Sequence, residues 1–321
     1  LPLIYQLGKS ILAWLLATFI IIFIILMPRD VTFETTTGNV FTGVEYHYSF
    51  TKHKDSFIDF FAYIKDNKSL GEYMPHYPNS ELLSRTMKKS LYIAIPALGL
   101  AFFLGVLKGM LDYRLSKYKF WSAPSNGATW LFLSIPDFFI VICIQIILMY
   151  LSNIGLLPHI TLFGSENFEN IILCIIYLTI YPLFYIAKIT YTSLEDEEGK
   201  DYIRTAFSKG VPFKKVVYIH IFRNAIIKIL QHLNTIALFV LSNLFIIEKF
   251  TDYRGAGFYF LKVVLPGTTF AVGQSRDLGN ALLAISYTII FTFIILLVHL
   301  ISQICHYFLT PYDLQEEGDM S

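Results

Sequence analysis

Charge is scarce in this 321-residue chain. Asp, Glu, Lys and Arg make up only 15% of it, against about 25% in an ordinary soluble domain. That excludes a disordered chain, which needs high charge and few apolar residues, and it argues against a soluble enzyme. Net charge is nearly absent too. The 25 basic and 24 acidic residues leave +1, so no global field draws the chain to nucleic acid. Cysteine is rare: Cys143, Cys174 and Cys305 all fall in or at the end of apolar blocks. They suggest neither a disulfide framework nor a C-x-x-C site, and they read as small apolar residues. The histidines His47, His53, His76, His299 and His306 have no metal-ligand spacing, so no metal is expected. No G-x-x-x-x-G-K-[ST] phosphate loop occurs, so any ATP chemistry would have to lie on another chain.

What the chain has instead is apolar surface. It is 55% hydrophobic, with 29 Phe and 21 Tyr, more than an ordinary core needs but suited to an outer face in lipid. A helix needs ~20 largely apolar residues to cross a bilayer. Six blocks qualify: 11–27, 91–107, 128–151, 171–187, 226–247 and 281–300. They are continuous and long, whereas the strands of a membrane barrel alternate and are short. The expectation is an all-α polytopic membrane protein with about six spanning helices. The first block is read as a retained span, because no small-residue cleavage site follows Met27.

Basic residues in short loops mark the cytoplasmic side. The loop between blocks two and three carries Lys108, Arg114, Lys117 and Lys119 against Asp112, and the loop between four and five carries Lys200, Arg204, Lys209, Lys214, Lys215 and Arg223. The loop between three and four has Glu166 and Glu169 and no basic residue. Both termini are therefore expected in the cytoplasm, with residues 28–86 outside. The organisation follows: a first span 1–27, an outer loop or subdomain 28–86, a core 87–310 that includes a cytoplasmic loop 193–225, and a cytoplasmic tail 311–321. The outer loop is rich in aromatics, among them Tyr46, Tyr48, Phe57, Phe60 and Tyr73. It is too long to be structureless, and it either meets a partner or packs on itself as a cap.

The most informative stretch is SLEDEEGKDYIRTAFSKGVPFKKVVYIHIFRNA, from Ser193 to Ala225. Ser193 with Asp196 fits a helix start, and Glu195 to Glu198 would suit the positive end of a helix dipole. Asp201 can cap a second short helix, 202–209, which Gly210 is placed to end. Pro212 suits the first turn of a third helix leading into the fifth block. The short helix offers Tyr202, Thr205, Ala206 and Phe207, with Arg204 and Lys209 around them. Two readings fit this spacing: a helix that docks in a partner's groove, or an amphipathic linker on the membrane surface.

The same stretch resembles the cytoplasmic coupling loop of bacterial ABC importer permeases, and more closely the peptide/nickel class, whose loop reads roughly DYVRTARAKG…HALRNA. Asp201, Tyr202, Arg204, Thr205, Ala206, Lys209 and Gly210 match, followed by His220, Arg223, Asn224 and Ala225. Phe207 replaces a basic residue of the pattern. Ser134-Ile135-Pro136 with Phe138 resembles the family's S-I-P-x-F, and Gly155 to Pro158 its G-x-L-P. Glu248, Phe250, Gly255, Gly257, Arg276 and Asp277 resemble its E-x-x-F…P-G-L-G…R-D series. The resemblance covers roughly residues 129–310. It implies a type I importer permease fold and a chain that is not itself an enzyme. It also implies, as partners, a second permease, two cytoplasmic ATPases holding ATP and magnesium, and an extracytoplasmic substrate-binding protein. The 201–210 helix would sit in a groove of an ATPase, with Tyr202, Arg204, Ala206 and Phe207 in contact. The substrate class implied is peptides, with nickel or metallophore complexes as the alternative. A secondary transporter is a further alternative, although no internal repeat supports it.

Polar residues inside spans often mark a pathway. Asp137, Gln145, His232, Asn234 and Asn243 are the candidates. Asp137 and Gln145, eight apart, fall on one helix face, and Asn234 and Asn243 are expected to share a face as well. Hydrogen bonding that fixes the bundle is an equal reading for each residue.

Overall fold

The computed structural model describes residues 3–28, 31–36, 40–158, 160–212, 215–216, 221–264 and 280–309. In chain order these form α1 (Leu3–Ile25), β1 (Val31–Thr36), β2 (Val40–Tyr46), α2 (Phe50–Asn67), β3 (Glu72–Met74), β4 (Tyr77–Pro78) and α3 (Asn79–Ser116). There follow α4 (Lys119–Ser134), α5 (Asp137–Asn153), α6 (Phe168–Glu198), α7 (Asp201–Ser208), α8 (Phe222–Gln231), α9 (Leu233–Phe250), α10 (Ala256–Val264) and α11 (Ala281–Leu309). Helices α1, α3, α6, α9 and α11 are long and apolar enough to cross a membrane, and the bent pair α4–α5 makes a sixth span if its halves count as one. The tail 311–321, Arg276 and Asp277 lie outside the described residues.

The bundle is built on α3 and α6. Along α3, Ala97, Ala101, Gly105 and Gly109 recur at every fourth position, which places them in one stripe. Ala97 and Ala101 are fully buried. A Cβ on Gly105 would stand 2.7 Å from Ile186 Cβ and 2.8 Å from the Leu183 carbonyl oxygen. One on Gly109 would stand 2.5 Å from Thr190 Cβ and 2.6 Å from the Ala187 carbonyl oxygen. Small residues let two helices meet backbone to backbone where lipid supplies no hydrophobic drive. Ile93 and Leu178 then join Leu244 of α9 and Tyr287 of α11 in the main core. The Thr86 and Tyr287 hydroxyls, 2.7 Å apart, tie α3 to α11.

Two expected spans are divided. Block 128–151 breaks between Ser134 and Asp137, and its halves meet at 100°. Proline cannot donate a backbone hydrogen bond and forces the residue before it out of the helical region. Ile135 accordingly is extended, at φ −88° and ψ 133°. Asp137 restarts the helix, its Oδ1 accepting the Phe138 N–H at 2.8 Å. The S-I-P motif is this corner. Block 226–247 divides at His232, whose φ −86° and ψ 1° leave the α-helical region, giving α8 and α9. By contrast α3 and α6 run straight through Pro96 and Pro182. The charged residues assigned to the loop between blocks two and three mostly lie in helix. Lys108 and Asp112 pair at 2.5 Å within α3, and Thr129 of α4 donates to Asp112 at 3.0 Å.

The segment between α1 and α3 is not all helix. Val31–Thr36 and Val40–Tyr46 form an antiparallel hairpin, as their Thr- and Val-rich alternation favours, and Glu72–Met74 pairs with Tyr77–Pro78. Helix α2 starts at Ser49, whose side chain accepts from the Lys52 N–H. It is fixed to α1 through His53, which is 2% exposed. His53 Nε2 donates to the Phe23 carbonyl at 2.7 Å, leaving Nδ1 to accept from the Tyr48 hydroxyl at 2.9 Å. Both ring nitrogens are therefore taken.

Gly99 has nothing within 4 Å of its would-be Cβ, so it is the control for the α3–α6 contact. Both Gly99→Ala and Gly109→Ala gain about 1 kcal/mol of helix propensity, but overpacking at Gly109 costs about 1–3 kcal/mol. Thermal melting in detergent is expected to be lowered by Gly109→Ala and not by Gly99→Ala. Equal melting of the two would contradict the backbone-contact reading.

Candidate functional site

The stretch singled out from sequence lies where α3, α6 and α8 converge. Its acidic run is at the end of a helix, not the start. Residues Ser193 to Glu198 are the last turns of α6, so four carboxylates stand at the negative end of a dipole, where cations are normally favoured. The helix does not restart at Ser193 because nothing interrupts it there. Lysines from three places offset the unfavourable charge. Lys117, just after α3, pairs with Glu198. Lys200 reaches Glu197 Oε1 at 2.6 Å. Lys228 of α8 stands 3.3 Å from Glu197 Oε1 and 3.4 Å from Asp196 Oδ2.

Glu197 is the centre of this arrangement. Its side chain is 1% exposed, and the Tyr202 hydroxyl of α7 donates to its Oε2 at 2.6 Å. One buried carboxylate thus joins α6, α7 and α8. Burying a charge is tolerated only when its oxygens are fully hydrogen-bonded, and here both are.

Helix α7 has two faces. Ile203 is 1% exposed and packs with Tyr113, Leu194, Val216, Ile221 and Ala225, while Ala206 is half-buried against the same cluster. Asp201, Arg204, Thr205, Ser208 and Lys209 are exposed. Tyr202 is 37% exposed, with its hydroxyl on Glu197. The expected contact set is therefore split: Tyr202 and Arg204 face outward, Ala206 faces the core, and the Phe207 side chain lies outside the described residues. Arg204 and Asp201 approach to 3.6 Å in solvent, a pair worth little. The helix closes on Gly210, at φ +74°, with the Val211 N–H on the Ala206 carbonyl at 3.2 Å. That closing bond requires a left-handed residue, which explains glycine at this position. His220 and the side chains of Arg223 and Asn224 lie outside the described residues.

A second buried carboxylate explains the Glu248…Gly255, Gly257 motif. Glu248 is fully buried. Ser90 of α3 donates to its Oε1, and the Phe258 N–H, in the first turn of α10, donates to its Oε2 at 2.9 Å. The Ala256 N–H donates in turn to Ser90 Oγ at 2.7 Å. The carboxylate sits on the positive end of α10. A side chain at Gly255 would overlap both Glu248 and Ser90. Sequence reasoning found the glutamate and glycines but not Ser90, which is 158 residues away. It also missed Glu197, because a run of four acids shows no sign of which one is buried.

Of the five pathway candidates, His232 stands at the break between α8 and α9. Asp137 opens α5 and caps its own backbone. Gln145 is 8% exposed, with its Nε2 unpartnered. Asn234 lines a cavity beside α1 and α11. Asn243 is 7% exposed in the bundle. Nine residues turn a helix by about two and a half turns, so Asn243 points away from Asn234 and the shared face expected for them is corrected.

The family model for "binding-protein-dependent transport system inner membrane component" matches residues 97–311. The chain is 27% identical over 185 residues to the dipeptide transport system permease protein DppB of Bacillus subtilis (strain 168), covering 58% of each chain. It is 25% identical over 246 residues to the oligopeptide transport system permease protein OppB of Haemophilus influenzae, covering 72% of this chain and 78% of that one. A solved structure of the MetNI methionine ABC transporter, in inward-facing conformations, has a chain that superposes with a TM-score of 0.55. That likeness has 15% identity and covers 72% of this chain and 98% of the other, so it concerns the fold alone.

Replacing Glu197 by Gln leaves Lys200 and Lys228 without their buried counter-charge. Losing such bonds costs about 1–3 kcal/mol, which is about 5- to 150-fold in a local opening equilibrium. Amide hydrogen exchange across 201–208 is expected to accelerate by that factor in Glu197→Gln and to stay unchanged in Arg204→Ala. Unchanged exchange in both variants would show that Glu197 does not hold α7.

Proposed function

Since the chain belongs to the family of binding-protein-dependent transport system inner membrane components, we propose that it is the permease subunit of an ATP-driven importer of peptides. The observation that carries this reading is α7: a short helix stapled to α6 and α8 through Glu197, with a polar outer face of Arg204, Thr205 and Lys209 left open. A helix fixed on one side and open on the other can take force from a docked partner and pass it to the spans behind it. The partner in this proposal is one of two cytoplasmic ATPases, which bind ATP and magnesium. Asp201, Tyr202, Arg204, Thr205, Phe207 and Lys209 meet its groove, with Ala206 and Gly210 keeping the helix in place.

A second permease completes the pathway, and an extracytoplasmic binding protein delivers substrate to the α2 side. The names of the relatives support the peptide class. The basic residues at the α7 end support its placement in the cytoplasm, with both termini on that side and the protein in a bacterial plasma membrane: Arg114, Lys117, Lys200, Arg204, Lys209 and Lys228 all gather there. Asp137, Gln145, Asn234 and Asn243 remain proposed pathway residues; the buried, unpartnered amide atoms of Gln145 and Asn234 favour these two.

Reconstitution with the second permease, both ATPases and the binding protein tests the reading. ATP-dependent uptake of labelled peptides is expected, with nickel chelates failing to compete. Arg204→Glu is expected to lower uptake and uptake-coupled ATP hydrolysis together by about tenfold, the effect of losing one interface anchor. A cysteine at Thr205 should cross-link to an ATPase. Full uptake by Arg204→Glu together with no cross-link would refute the docking role, and nickel uptake without peptide uptake would refute the substrate class.

A further inference from the structure

A cavity of about 740 Å³ lies between α1, α9 and α11, within the ~300–1,000 Å³ range of small-ligand sites. Its wall is graded from end to end. Gln6, Lys9, Ser10, His299 and Gln303 line one end, and Ala13, Ala17, Ile295 and Leu296 line most of the other, with Asn234 and Thr292 as the polar residues of that remainder. The helices run antiparallel here, since Gln303 Nε2 donates to Ser10 Oγ at 3.0 Å while Trp14 packs on Phe293 with ring centroids 5.8 Å apart. Polar therefore meets polar and apolar meets apolar across the gap. Lys9 is the only charged residue of α1, and α11 has no Asp, Glu, Lys or Arg. No acid lines the cavity, and Lys9 has no ion-pair partner among the described residues. The one Lys, Arg, Asp or Glu among the described lining residues is thus Lys9, a cation at the polar end.

The outer flank of α1 fixes what medium the cavity opens to. Leu12, Leu15, Leu16 and Phe19 are 68%, 52%, 64% and 55% exposed, an apolar surface that belongs in acyl chains. Beside it, α1 packs mainly on α11, with Ile22 against Phe60 of α2 and Ile285 of α11 and Ile25 against the main core. A molecule filling this space must be anionic at one end, apolar along its length, and supplied from the bilayer.

We propose that the cavity holds one anionic phospholipid. Its phosphate lies on Lys9, with the Tyr5 hydroxyl and Gln6 amide as further donors, and one acyl chain runs along Ala13, Ala17 and Leu296. Basic pockets between spanning helices are suited to such head groups, and an acyl chain in this gap mortars the peripheral α1 to α11. The choice of the cytoplasmic leaflet rests on the orientation proposed above; occupancy of the site does not.

The test uses the assembled complex, solubilised from phosphatidylcholine nanodiscs doped with phosphatidylglycerol, with retained lipid read by native mass spectrometry. Phosphatidylglycerol is expected to be retained over phosphatidylcholine by the parent and by Lys9→Arg. Retention should fall about fivefold in Lys9→Gln, the selectivity of one basic side chain at an anionic head group. Ala17→Trp, which blocks the acyl end without touching charge, should abolish it, and added inorganic phosphate should not displace the lipid. Equal retention in parent and Lys9→Gln overturns the proposal. So does displacement by phosphate, or a disulfide between Ala17→Cys and the second permease, which would make a protein helix the occupant. The readout needs no transport, so it stands or falls separately from the importer reading.

Discussion

The close approach of α3 and α6 is the contact on which the rest of the molecule depends. Within a bilayer, apolar side chains gain little by leaving lipid for protein, so helices associate through packing and hydrogen bonds. Four small residues on α3 allow that packing at backbone distance, with Gly105 and Gly109 against Leu183, Ile186, Ala187 and Thr190. Once joined, the pair projects beyond its apolar blocks at both ends. At one end Asn79 Nδ2 bonds the Leu70 carbonyl at 2.6 Å and Asn280 at 3.2 Å. At the other, Lys117 and Glu198 close the α7 site.

Two buried carboxylates then do related work at different places. Glu197 gathers a lysine before α7, a tyrosine on α7 and a lysine on α8, while Glu248 gathers a serine on α3 and the first turn of α10. Each holds a short helix in a fixed attitude to a long one. A carboxylate suits this role because its two oxygens accept from several directions at once and lose much if any donor is removed. The short helices α7 and α10 are too brief to be stable alone, so their positions are set by these side chains as much as by their own backbones.

Much of the site was legible in sequence. The short helix and its Gly210 end follow from local chemistry, which acts over a few residues; the expected Asp201 cap does not hold, since the Ile203 and Arg204 N–H groups bond the Lys200 carbonyl and Asp201 lies in the first turn. The acidic run was misplaced because the same four carboxylates satisfy a rule for helix starts, while what they meet is fixed by Lys117 and Lys228, distant in the chain. Lys228, on another helix, is explained by the same buried Glu197. The Ser134-Ile135-Pro136 motif was visible, yet its 100° corner was not. Pro96 and Pro182 sit inside continuous helices, so proline by itself does not say whether a helix bends.

What acts locally or through the solvent was already written along the chain: helical spans from the length of apolar blocks and a short helix that ends on Gly210. Only the folded chain decided which small residues of α3 meet α6 and which acid of four is buried. The division has a physical cause. Hydrophobicity and capping are properties of a segment and its medium, whereas burial of a charge and backbone contact between helices depend on groups that the chain brings together from as far as 158 residues apart.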